Sequence, residues 1–421
     1  MTNTANLSGS FNPYEARKAF PALSFSGPMG LPWVFLDGPG GTQVTASVAA
    51  AIADAILTAS ANRGAPFQTS LNVESIMRQA GEDGAAFLGV NEPDRVIFGP
   101  NMTSLAFHAA DAIVPTLAIG DEIIVSRLDH DANVAPWVHA ANRAGATIKY
   151  LDFCRDSMTL RSEDLVPLLG KKTKLIAFTA ASNALGSLTP IQELVAAART
   201  TAALIVVDGT HFAPHHLPCV DQWDVDLFFC SAYKFFGPHV GIMTGKRSVL
   251  EALTPGKVRP AANTLPVRWM TGTQNHEGIA GFSAAIRYLR GLGKGGSPRE
   301  QLTNAYKQIS VHETALMQIF MDRLGRQTKW HLTGIPNADC KNRVATFALR
   351  GPTSPLIAAQ FLAEQGICAY AGNFYALPVT EALGLESVGG LLRVGAVHYN
   401  TGEEIHRLWD ALDHLAANSA K

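Results

Sequence analysis

The stretch Asp226-Leu-Phe-Phe-Cys-Ser-Ala-Tyr-Lys-Phe-Phe-Gly-Pro-His-Val-Gly241 constrains this chain more than any other. It opens as an apolar, aromatic run that reads as a buried strand. It then sets one cation, Lys234, among aromatics and stops at Gly237-Pro238. A lone ammonium in such surroundings is costly unless it is paired, neutralised or covalently used. A lysine amine whose pKa is lowered this way suits Schiff-base chemistry. The competing reading is a lysine snorkelling from a strand end, the commoner fate of any lysine taken alone.

Upstream, Ala203-Leu-Ile-Val-Val-Asp208-Gly-Thr-His211 is a second apolar strand, and it ends in a carboxylate. A Schiff-base lysine combined with an aspartate for a pyridinium nitrogen is the signature of a pyridoxal phosphate site. The surrounding chain has a matching rhythm. Apolar segments at 95–98, 122–126, 147–151, 174–179 and 203–207 alternate with helical patterns at 103–113, 134–144 and 190–199. Such alternation predicts an α/β fold with a mostly parallel sheet covered on both faces. Ligands in such sheets bind at the carboxyl ends of the strands. A glycine-rich break at Gly291–Arg299 sets a large domain at 34–299 apart from a smaller one built of 1–33 and 300–421.

Two further segments carry chemistry. Pro100-Asn101-Met102-Thr103-Ser104 opens a helix directly after a strand, where backbone N–H groups favour a phosphate and Thr103 adds a hydroxyl. An ordinary N-cap is the competing reading. Arg393 lies inside the apolar run Leu391-Leu-Arg393-Val-Gly-Ala-Val-His398, and its planar fork suits a carboxylate, a structural salt bridge being the alternative.

Composition narrows the classes. With 421 residues, 47% apolar, the chain can bury one large core and a smaller one. A net charge of −1 without basic runs offers nothing to nucleic acid or an anionic membrane. Five scattered cysteines without C-x-x-C spacing read as reduced thiols and predict no metal site. No signal-peptide pattern or run of about 18 apolar residues is present, so a soluble cytoplasmic protein is expected.

Asp208-Gly-Thr-His211 followed by Ser231-Ala-Tyr-Lys234-Phe-Phe-Gly-Pro resembles the class V aminotransferase family of pyridoxal phosphate enzymes, and within it the cysteine desulfurase-like branch. The resemblance runs from about Val34 to about Leu415. It implies fold type I, with a mostly parallel seven-stranded sheet in the large domain and a smaller α/β C-terminal domain. It implies that Lys234 holds pyridoxal 5'-phosphate, that Asp208 meets the ring nitrogen and that His130 stacks on the ring. Asn101, Met102, Thr103, Ser231 and Tyr233 would cradle the phosphate, while Asn183 and His211 would face the phenolic oxygen. Met102 stands where threonine is usual, and Tyr233 where many relatives carry histidine. Thr273 matches a threonine given to the neighbouring subunit's phosphate, which implies a homodimer with shared sites. Arg393 would hold the substrate's α-carboxylate, with Tyr375, His239 and Asn62 also facing the substrate, near the Gly38–Gly41 turn.

The implied activity is cleavage at Cβ of a small L-α-amino acid, by β-elimination or β-decarboxylation through an enamine or quinonoid. One departure matters: Tyr375, in Asn373-Phe-Tyr-Ala376, occupies the place of the desulfurases' nucleophilic cysteine, and Cys368 reads as a packing thiol. Gly-Pro-His239-Val-Gly241 and Val-His398-Tyr-Asn-Thr401 are similar to the ustiloxin-type decarboxylative aldol branch, which adds an aspartate-derived enamine to an aldehyde co-substrate. Aminotransfer or epimerisation on the same site, and an inactive cofactor-bound scaffold, are the alternatives.

Overall fold

The computed structural model describes residues 11–418, the Met29 side chain aside, so the expected small-domain segments 1–33 and 300–421 extend past it at both ends. Its frame is a seven-stranded sheet of β1 (Ile97–Gly99), β2 (Glu122–Ser126), β3 (Thr147–Leu151), β4 (Thr173–Thr179), β5 (Leu204–Asp208), β6 (Leu227–Ser231) and β7 (Gly241–Gly245). The spatial order is β1-β7-β6-β5-β4-β2-β3. Only β7 runs against the rest, pairing antiparallel with both β1 and β6. The four central strands β4 to β7 are almost wholly buried, as expected of β-branched and aromatic runs covered on both faces. Chain order reverses between β2 and β4, which leaves a crevice at the carboxyl ends of those strands.

A four-stranded antiparallel sheet forms the second layer system, with Leu391–Gly395 between Thr346–Arg350 and Tyr370–Gly372, and His331–Thr333 at the far edge. The N-terminal segment is shared between the two cores. Val34 and Leu36 join the smaller core, and Val34–Phe35 pairs in parallel with Ile367–Cys368. Phe20 and Leu23 belong to the larger core.

The glycine-rich break at 291–299 marks the start of a helix and not the border between cores. Ser297 and Glu300 form a capping box for the 27-residue helix Pro298–Leu324. Leu302, Tyr306 and Ile309 of this helix pack in the larger core, whereas Leu316, Met317 and Phe320 pack in the smaller one. A rigid rod of roughly 40 Å can enter both cores without a sequence signal at the crossing. Among the described residues, no helix is long and apolar enough to cross a membrane, and no cluster of potential ligands is arranged for a metal ion.

Candidate active site

The residues anticipated for the cofactor converge because each follows the carboxyl end of a strand. Asn101, Met102 and Thr103 follow β1, His130 follows β2, and Asn183 follows β4. Asp208 and His211 lie at and after β5, and Ser231, Tyr233 and Lys234 at and after β6. All ten line one cavity.

At its centre, Lys234 directs its amine toward two backbone acceptors in the glycine-rich turn, the carbonyl oxygens of Pro39 at 2.5 Å and Gly40 at 3.0 Å. A Cβ on Gly40 would meet the Tyr370 ring at 2.5 Å, so this close turn needs glycine. Burial, reinforced by the Arg393 charge, lowers the amine's pKa to about 7, and Asp208 and Asp37 only partly restore it. A cavity-facing amine of this kind is nucleophilic near neutral pH.

Asp208 is 4% exposed, and its Oδ1 accepts the Thr210 N–H at 2.8 Å. Burial raises its pKa. No cation of the described residues lies within ion-pair distance of this carboxylate, so a protonated ring nitrogen is the partner it lacks. Asn183 Oδ1 and His211 Nδ1 are likewise buried without a hydrogen-bond partner. Both atoms belong to cavity-lining residues, where a phenolic hydroxyl would donate to the Asn183 oxygen and accept from a protonated His211 Nδ1.

The phosphate end is built from backbone. Asn101 caps the helix Met102–Ile113 by accepting the Ser104 N–H at 2.8 Å. Met102 donates its N–H to Ser231 Oγ at 3.1 Å, which leaves the serine hydroxyl proton free for an anion. The Met102 side chain points into the larger core. Its replacement of the usual threonine therefore costs the turn a hydroxyl but no main-chain donor. A Cβ on Gly241 would lie 2.2 Å from the Asn101 backbone, so glycine in β7 lets this turn seat itself.

His130 is half-buried, and its pKa is lowered to about 4 by burial and by the Lys234 and Arg393 charges. The Ala132 N–H donates to its Nδ1 at 3.0 Å, which places the proton of the neutral ring on Nε2. Tyr375 stacks on this ring with centroids 5.4 Å apart.

Arg393 is 5% exposed, and its Nη1 donates to the Asn183 carbonyl at 2.8 Å. Its guanidinium lies 4.1 Å from the centroid of the Phe374 ring. None of the described carboxylates is within ion-pair distance, so the structural salt bridge weighed from sequence is absent. A buried guanidinium without an anion suits a substrate carboxylate.

The remaining anticipated residues sit apart. Thr273 and His239 are exposed and line a neighbouring groove beside the start of the Met102–Ile113 helix. Thr273 Oγ1 donates to Asn62 Oδ1 at 3.3 Å. His239 stacks on Tyr233 with centroids 5.0 Å apart.

Two carboxyls escaped the sequence reading. Asp129 is buried and accepts from Ser126 Oγ, from Asn133 Nδ2 at 2.6 Å and from the Thr179 N–H at 3.0 Å. It thereby ties β2 to β4 under His130, and burial raises its pKa to about 8. Asp37 has an unpartnered buried Oδ1, and burial raises its pKa against the opposing charges of Arg393 and Lys234. The sequence marks Asp37 only as an acid ending the run Val34-Phe-Leu, and Asp129 only as the neighbour of His130.

Comparisons with known proteins identify the family. The model of the family "Aminotransferase class-V" matches residues 34–408. An uncharacterized protein of Mycobacterium tuberculosis is 30% identical over 91% of this chain and 95% of its own length. A probable cysteine desulfurase of Pseudomonas putida is 30% identical over 78% of this chain and 80% of its own. The structure of a cysteine desulfurase from Escherichia coli superposes with a TM-score of 0.82 at 25% identity, covering 96% of this chain and 98% of that one. The chain therefore belongs to the class V aminotransferase family, as a pyridoxal 5'-phosphate-dependent enzyme of the cysteine desulfurase-like kind.

Proposed function

We propose that this enzyme breaks a bond at Cβ of a small L-α-amino acid without passing sulfur through a cysteine of its own. One observation carries the reading: no cysteine lines the Lys234 cavity, and Tyr375, which by resemblance takes the place of the desulfurases' nucleophile, stacks on His130. Burial, with the nearby Asp37, raises the Cys368 thiol to about 12, so it is not the thiolate that sulfur transfer requires. Cys230 is buried in the core, and burial likewise raises its thiol well above the ordinary value.

Bound pyridoxal phosphate supplies the sink for the electron pair left when a substrate bond breaks. Lys234 Nζ would hold the cofactor, and its neutral amine would take and return the Cα proton. Asp208 keeps a proton at the ring nitrogen, and the neutral His130 ring covers one side of the site and excludes water. Arg393 binds and orients the α-carboxylate through its free N–H groups. With L-aspartate the balanced reaction is β-decarboxylation: aspartate and a proton give alanine and carbon dioxide. With a supplied aldehyde, Cβ would bond to the carbonyl carbon instead of to a proton, and the resulting alkoxide would take the proton, so that aspartate, the aldehyde and a proton give the aldol product and carbon dioxide.

Sulfide release from L-cysteine is therefore expected to be slow or absent, and any release to be unchanged in Cys368→Ser. Fast sulfide formation with a persulfide found on a cysteine by mass spectrometry would return the chain to ordinary desulfurase chemistry. The complementary assay follows alanine and carbon dioxide from L-aspartate.

A homodimer with shared sites accompanies this reading. Its support is the placement of exposed Thr273 in a groove beside the phosphate turn, together with exposed Ile56, Leu57, Phe67 and Leu71 near Asn62. Mixing inactive Lys234→Ala protomers with inactive Thr273→Ala protomers should restore up to about a quarter to a half of the activity on subunit exchange. A monomer turning over at the full rate would refute the shared site.

A further inference from the structure

The turn at Phe374–Tyr375, which touches the cavity-lining residues Asn183 and His130, combines three features that residue type alone does not explain. Phe374 and Tyr375 both adopt left-handed backbone angles, with φ of 59° and 58°. Two adjacent aromatic residues in that region are disfavoured, because Cβ crowds the following carbonyl oxygen. The turn is nevertheless pinned on both sides. Asn183 Nδ2 donates to the Phe374 carbonyl at 2.9 Å, and the Asp131 N–H donates to the Tyr375 carbonyl at 2.7 Å. Asn373 Oδ1 accepts the Tyr375 N–H at 3.1 Å. Finally, each ring rests on a residue of the site, Phe374 on the Arg393 guanidinium and Tyr375 on the His130 imidazole.

Backbone strain held by such bonds marks a place where side-chain direction matters. His130 needs direction. Its one hydrogen bond, from the Ala132 N–H to Nδ1, ties a single edge and leaves the ring free to swing about that edge. Tyr375 covers one face at a tilt of 28°, within the offset-stacked range. Tyr375 itself is 73% exposed, so packing into the core does not account for its pose.

We infer that Tyr375 is a positioning residue, whose ring buttresses His130 from the solvent side and holds the imidazole flat against the cofactor. Tyr375 and His130 then form one stack, whose His130 end would cover the cofactor ring when it is bound. This rests on the proposed covering role of His130. It replaces the expectation that Tyr375 meets the substrate directly, and it gives the position held by a thiol in desulfurases a different duty. The tyrosine hydroxyl has no part in it.

The test uses the holoenzyme and reads the cofactor itself. Tyr375→Gly removes the ring and also relieves the backbone, since glycine adopts positive φ freely, so loss of fold is not the expected outcome. The dissociation constant for pyridoxal phosphate, measured by equilibrium dialysis, should rise about three- to tenfold. The visible circular dichroism of the bound cofactor should fall with it, and Tyr375→Phe should retain both values. His130→Ala should show a comparable change, and Tyr375→Gly placed on that background should add nothing further. Wild-type affinity and dichroism in Tyr375→Gly, or equal damage in Tyr375→Phe, would overturn the buttress while leaving the covering role intact. A full additional effect in the double variant would show Tyr375 acting directly and not through His130. A wild-type His130→Ala would remove the covering role, and the buttress with it.

Discussion

Lys234→Ala is expected to lower turnover by about 10³-fold or more, because one substitution removes both the cofactor's anchor and the group that moves the Cα proton. The phosphate turn and Asp208 remain, so the variant should still bind pyridoxal phosphate, without the covalent link. Borohydride reduction of the wild type should fix the cofactor on the peptide containing Lys234. A label on another lysine would sink the assignment. The pH dependence follows from the lowered pKa. Only the neutral amine attacks an aldehyde, so cofactor capture by stripped enzyme should rise with pH and level off above about 7. An unperturbed lysine would keep gaining well into the alkaline range, and stopped-flow absorbance separates the two profiles.

Arg393→Gln should produce the second large effect. Removing one partner of a buried, charge-assisted pair costs about 3 kcal/mol, roughly 150-fold in kcat/KM. The loss should appear mainly in KM, because the α-carboxylate is bound in both ground and transition states. Cofactor affinity should change little, since Arg393 meets the cavity through the Asn183 carbonyl and the Phe374 ring. Arg393→Lys should recover only part of the affinity, because an ammonium cannot reproduce the planar fork. An unchanged KM in Arg393→Gln would mean that the substrate carboxylate is held elsewhere.

The chain announced its scaffold clearly. Leu204–Asp208 and Leu227–Ser231 are apolar runs too short for helices, each ending in a polar residue, and both form central buried strands. Helix starts were legible where a cap marked them, as at Asn101 before Met102–Ile113. The glycine-rich break before the long helix Pro298–Leu324 was legible, but not that this helix bridges two cores, since a local pattern does not name the partner of a buried face. Asp129 and Asp37 passed unnoticed for the same reason. A carboxylate at a strand end looks alike in sequence whether it ties two strands, as Asp129 does through the Thr179 N–H, or faces two cations, as Asp37 does.

The sequence by itself determined which groups are available: one lysine in an aromatic setting, an aspartate ending a strand, an arginine inside an apolar run, and a tyrosine in the Asn373–Ala376 stretch. These follow from residue type and local pattern, because burial and strand order are written in the spacing of apolar side chains. Tertiary structure alone decided what each group faces. It left Arg393 without an anion, set Thr273 and His239 in a neighbouring groove, turned the Met102 side chain into the core, and laid Tyr375 over His130. The physical reason is that charge, desolvation and ring stacking depend on distances across the fold between segments far apart in sequence, and no local pattern encodes those distances.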